Sequence, residues 1–110
     1  MRVEFATTKL RKVLSDEREM ERRYGQLAKP LKSRLSVLRR ARNLADVPTV
    51  PPERCHQLSQ ERDEQFAVDL RHPHRLVFVV DNDPVPRKAD GGIDLSAVTA
   101  IRVVDVVDYH

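Results

Sequence analysis

Gln65-Phe66-Ala67-Val68-Asp69-Leu70-Arg71-His72-Pro73-His74-Arg75-Leu76-Val77-Phe78-Val79-Val80-Asp81 is the stretch that decides the class of fold. Phe66, Val68 and Leu70 alternate with Ala67, Asp69 and Arg71, the period of two expected of a strand with one apolar face. Arg75 to Asp81 encloses an unbroken Leu-Val-Phe-Val-Val run and reads as a second strand. His72-Pro73-His74 between them is a tight connection.

Downstream, Asp81 to Ser96 holds Asp-type turn signals, Pro84, Pro86 and Gly91-Gly92, and reads as a long loop. Ala100 to Tyr109 follows as the last strand, apolar on both faces and therefore expected inside the sheet. Upstream, Arg54 to Leu58 is a short candidate strand. Asp46 to Glu53, with Pro48, Pro51 and Pro52, is a loop, because neither a helix nor a central strand accommodates that many prolines.

Further upstream the period changes. Leu27, Leu31, Leu35, Leu38 and Ala45 recur at helical spacing, widened by Val37, Ala41 and Leu44, which predicts a helix over Leu27 to Ala45. Pro30 falls in its first turn, where it is tolerated. Lys32, Ser33, Ser36, Arg39, Arg40 and Asn43 form the opposite face. Arg34 and Arg42 lie on or beside the apolar arc, so their stems are expected to snorkel or to pair with an acid of the preceding helix. Thr7 or Thr8 can cap a helix starting near Lys9, and Ser15-Asp16-Glu17 starts another that runs to Tyr24 and stops at Gly25. Residues 1–6 read as a strand. A strand, then helices, then a run of strands is an α+β pattern: helices packed on one face of a small, mostly antiparallel sheet. The 110 residues suit a single domain, 1–110.

Composition bounds the function. No apolar run approaches the roughly 20 residues of a membrane span. The opening residues carry no signal-peptide core, and a single cysteine, Cys55, closes no internal disulfide; a cytoplasmic location is expected. Net charge is only +3, but residues 1–45 carry 13 Lys and Arg against 5 Asp and Glu, and residues 46–110 carry 7 against 12. The basic half suits a polyanion such as nucleic acid, or a plain solvated helix surface.

Four histidines occur, His56, His72, His74 and His110. His72-Pro73-His74 lacks zinc-motif spacing, and Cys55 completes no ligand set, so no metal site is expected. Cys55 and His56 are neighbours in a candidate strand and so face opposite ways, which rules out a thiolate–imidazole pair. Asp108-Tyr109-His110 places ionisable groups at the tip of an apolar strand, either as a site or as an inert tail.

Val106-Val107-Asp108-Tyr109-His110 resembles the "IVDYH" terminus of HigB-like killer proteins, a branch of the RelE/ParE toxin superfamily. Arg54-Cys55-His56-Gln57-Leu58, Gln65-Phe66-Ala67-Val68-Asp69-Leu70 and Arg75-Leu76-Val77-Phe78 resemble that family's core strands in order. Arg23-Tyr24-Gly25, the basic helix after it and Val98-Thr99-Ala100-Ile101 fit as well. The chain departs from the family in its longer loop from Asp81 to Val98 and in the acidic segment Ser59-Gln60-Glu61-Arg62-Asp63.

The resemblance implies a RelE/ParE-like fold, ribosome-dependent cleavage of mRNA, and a helix-turn-helix (HigA-like) antitoxin as partner. Metal-free RNA cleavage must deprotonate the 2′-hydroxyl, stabilise charge on the phosphate and protonate the leaving 5′-oxygen. His110 is then the first acid/base candidate and His56 the second. Arg75 is the phosphate clamp, with Arg71 as a helper. Tyr109 stacks on a base or orients a phosphate, and Asp108 orients His110. Lys32, Arg39 and Arg40 grip RNA without sequence selectivity, and Arg62 is a further RNA contact. No cofactor is expected, since RNA supplies its own nucleophile. The main rival reading is a ParE-like toxin that blocks a DNA topoisomerase and cuts nothing, and the second is a non-toxic nucleic-acid-binding module, marked by binding with steep salt dependence and no cleavage.

Overall fold

The computed structural model of the chain describes residues 1–59 and 64–108. Arg62, Tyr109 and His110 lie outside the described residues.

The first strand, β1 (Arg2–Phe5), leads into helix α1 (Thr8–Leu14), whose first turn is capped by Thr7: its hydroxyl accepts from the Leu10 amide at 3.0 Å. Asp16 caps α2 (Glu17–Tyr24) in the same way, accepting from the amides of Arg18 and Glu19 at 2.9 and 3.3 Å. Gly25 then takes φ 55°, the left-handed region that ends helices cheaply only where no Cβ interferes.

Helix α3 spans Ala28–Arg40 and so ends earlier than the apolar spacing predicts. Ala41 turns out of the helix at ψ 139°, and Asn43 starts a separate 3-10 turn, Leu44–Asp46, by accepting from the Asp46 amide at 3.2 Å. That turn still drives Leu44 and Val47 into the core. Apolar periodicity therefore outlives the helix itself.

Four strands follow: β2 (His56–Gln57), β3 (Gln65–Asp69), β4 (His74–Val80) and β5 (Ala100–Asp108). β2 is shorter than expected because Arg54 sits at φ 44°, which no strand residue adopts. β3 stops at Asp69 because the turn has begun: the Leu70 amide donates to the His74 carbonyl at 3.0 Å, and the His74 amide to the Arg71 carbonyl at 2.8 Å.

The sheet runs β1-β5-β4-β3-β2, antiparallel throughout except for the parallel pair β1–β5. The fold is α+β, with the first strand at a sheet edge and β5 inside, as its two apolar faces require. Rows of side chains across the sheet follow from the register. Phe5, Val103, Phe78 and Phe66 share one row, and Leu76 and Val68 share another. These join Leu14, Met20, Leu31, Leu35 and Leu38 of the helices in one apolar cluster, so the helices cover a single face. Phe66 and Phe78 stack at 5.9 Å between ring centroids.

The loop between β4 and β5 is structured. Arg87 and Ile93 pair as an isolated bridge, Ile93 is buried, and Arg87 grips the Glu64 carboxylate with both terminal nitrogens at 2.5 and 3.0 Å. Among the described residues, no helix is long and apolar enough to cross a membrane.

Candidate functional site

The sheet face away from the helices carries His56 of β2, Asp69 of β3 and Arg75 of β4. Arg75 lies opposite Asp69 on one side and Val107 on the other. His56 lies opposite Ala67, two residues along β3 from Asp69, so it shares the face of Arg75 one pleat further on. Asp108 lies opposite His74 at the end of β5, one residue out of phase with that face, and its Oδ2 is 3.9 Å from the His74 Nε2. The sheet thus sets His56 and Arg75 on one face, on either side of β3, with Asp108 at its margin.

His56 is half-buried, and its Nδ1 lies 2.7 Å from the main-chain oxygen of Arg54. A carbonyl can only accept, so Nδ1 carries a hydrogen. In the neutral ring, Nε2 is then the nitrogen with the lone pair, the form a general base needs.

A cleft of about 270 Å³ opens at this end of the sheet, walled by Pro51-Pro52 and the His72-Pro73-His74 turn. Arg34, Arg54, Arg75 and the single carboxylate of Asp69 line it. Among the described residues that line it, three guanidinium groups face one carboxylate. Asp69 organises all three arginines. Its carboxylate accepts from Arg54 through two nitrogens, at 2.6 and 3.1 Å, and lies 3.6 Å from the Arg75 Nε. Its main-chain oxygen accepts from the Arg34 Nε at 2.7 Å. The Asp69 hydrogen bond, followed by its charge, raises the pKa of Arg54 above the ordinary arginine value.

Arg34 departs from expectation. It is buried, 8% exposed, and meets Asp69 of β3 and the Ser33 hydroxyl rather than an acid of the preceding helix. Arg42 likewise pairs with Asp46, four residues on, at 3.2 Å. The acid of α2 that is used, Glu17, pairs with Lys32.

The remaining basic residues are dispersed. Lys32 and Arg39 line a groove against α2 with Glu17 and Met20, away from the cleft, and Arg40 is exposed at the end of α3. Arg71 is exposed at a neighbouring hollow shared with Lys29 and Ser33, and its Nη1 is 3.4 Å from the Gln26 side chain. Arg34, Arg54, Asp69, His72 and His74 were not singled out as site residues by the sequence. The readable signal was a charged residue, Arg34, embedded in an apolar helical stripe. Among the described residues, no His, Cys, Asp and Glu gather in threes as a metal would require.

The chain matches no protein-family model and no curated protein. The chemistry of the site therefore carries the functional reading.

Proposed function

We propose that the chain is a HigB-like toxin of the RelE/ParE superfamily, a metal-independent endoribonuclease that cuts translated mRNA on the ribosome. It acts in the cytoplasm and is held silent by a helix-turn-helix antitoxin. The observation that supports this best is the placement of His56 and Arg75 on one sheet face, with Arg75 lining an arginine-rich cleft. Guanidinium forks match phosphate oxygens and stabilise the charge that grows on them during transfer. The Nε2 of His56 takes the 2′-hydroxyl proton as the 2′-oxygen attacks phosphorus. His110 is assigned the proton delivered to the departing 5′-oxygen, and Asp108 and Tyr109 its orientation.

The test is mRNA cleavage in a cell-free translation reaction with wild type, His110→Ala and Arg75→Ala. Cuts confined to translated message, and reduced about 10²-fold or more in each variant, are expected. Intact message at protein levels that still arrest growth overturns the nuclease and leaves the topoisomerase-blocking toxin as the reading.

A further inference from the structure

A guanidinium withdrawn from water calls for an anion. Arg34 is 8% exposed, and no carboxylate among the described residues lies within 4.0 Å of it. Its Nε and Nη1 are satisfied by neutral oxygens, the Asp69 carbonyl and the Ser33 hydroxyl. Those bonds meet its geometry and leave its charge uncompensated, which is costly for a buried cation. The same side chain lines the cleft of about 270 Å³ between the Pro51-Pro52 and His72-Pro73-His74 walls.

A second observation points the same way. Arg54, which lines the same cleft, holds φ 44°, where glycine or asparagine is the economical choice. An arginine kept in that conformation is aimed, and the two-nitrogen grip of Asp69 fixes where it is aimed. Backbone outliers of this kind concentrate at ligand-binding sites.

We infer that this cleft seats one phosphate group, with Arg34 as the buried counter-charge and the Nη1 edge of Arg54, the edge turned away from Asp69, as the second donor. The cleft is somewhat below the roughly 300–1,000 Å³ of drug-sized pockets, enough for a phosphate and an attached sugar. Asp69 is the internal anion that holds Arg54 and Arg75 in place, and its carboxylate is not within 4.0 Å of Arg34. The seat rests on the proposed function, whose phosphate clamp Arg75 lines the same cleft, but binding of an uncleavable probe tests it apart from cleavage.

The test is calorimetry on the full chain with two probes, inorganic phosphate and a 2′-O-methyl trinucleotide that cannot be cleaved. Arg54→Ala removes the second donor, and Arg34→Lys keeps the buried charge but loses its planar geometry. Lys88→Ala, on the distant loop, is the control. Circular dichroism of each variant separates loss of binding from loss of fold. Loss of one charge-assisted hydrogen-bonding group should weaken binding about tenfold or more in Arg54→Ala and Arg34→Lys, with Lys88→Ala unchanged. Tighter binding of the trinucleotide identifies a polynucleotide backbone phosphate as the ligand; binding of inorganic phosphate alone identifies a free or terminal one. Folded protein that binds neither probe at millimolar concentration, or binds equally well in both arginine variants, overturns the seat.

Discussion

Asn82 holds Thr99 from both sides. Its side-chain oxygen accepts from the Thr99 amide at 3.0 Å, and its side-chain nitrogen donates to the Thr99 hydroxyl, also at 3.0 Å. The same oxygen accepts from the Ala100 amide at 3.1 Å. One side chain thereby closes the neck of the loop between β4 and β5 and sets where β5 begins. Asn82→Ala strands these groups and should destabilise the fold by about 1–3 kcal/mol in urea unfolding. A change within a few tenths would show that water replaces the amide without penalty.

Cys55 tests burial on the other side of the sheet. Removal from water pushes its thiol up to about 11 from 9.0. The reactive species is the thiolate, so the native protein at pH 8 should resist iodoacetamide and the unfolded protein should react readily. Because the folded value is the higher one, this group's contribution to stability is complete below about 9 and is lost as pH rises toward 11. Rapid native-state labelling at pH 8 would count against the buried placement.

Glu64 is held below the ordinary glutamate range, first by its hydrogen bond from Arg87 and then by that residue's charge. Carboxyl-detected NMR titration should find it ionising below the unfolded value, and Arg87→Ala should return it upward. The sign follows: this tie between the long loop and β3 is intact above the unfolded pKa and is lost as pH falls through the folded one. An ordinary glutamate titration in the wild type would mean that the pair does not persist in solution.

Arg75→Lys separates fork from charge. Arg75 stands opposite Asp69 in the register, with Nε 3.6 Å from its carboxylate. Lysine preserves the charge but cannot present two parallel donors to a phosphate. Cleavage in the cell-free reaction should fall at least about tenfold, while the unfolding midpoint stays close to wild type. Full activity in the lysine variant would reduce the role of Arg75 to a point charge.

Much of this was legible in the chain itself. Thr7, Asp16 and Gly25 announced the ends of α1 and α2 because capping is local chemistry, settled within four residues. The alternation in β3 and the two apolar faces of β5 were readable for the same reason. The end of α3 was not, because Leu44 continues the apolar period from a 3-10 turn, and periodicity records burial rather than backbone conformation. His56 and Arg75 could be nominated, but the gathering of Arg34, Arg54 and Asp69 could not. They stand on a helix, a loop and a strand, and only the packing of α3 against the sheet brings them together.

The parallel pairing of β1 with β5 sets a schedule for biosynthesis. Arg2 pairs with Ala100 and Phe5 with Val103, so β1 is made 98 residues (100 − 2) ahead of the partner it needs. At about 5–20 residues per second that wait lasts several seconds. The sheet face carrying His56 and Arg75 is likewise incomplete until β5 lies beside β4. Whatever acts through that face can therefore act only after the segment carrying β5 has been made.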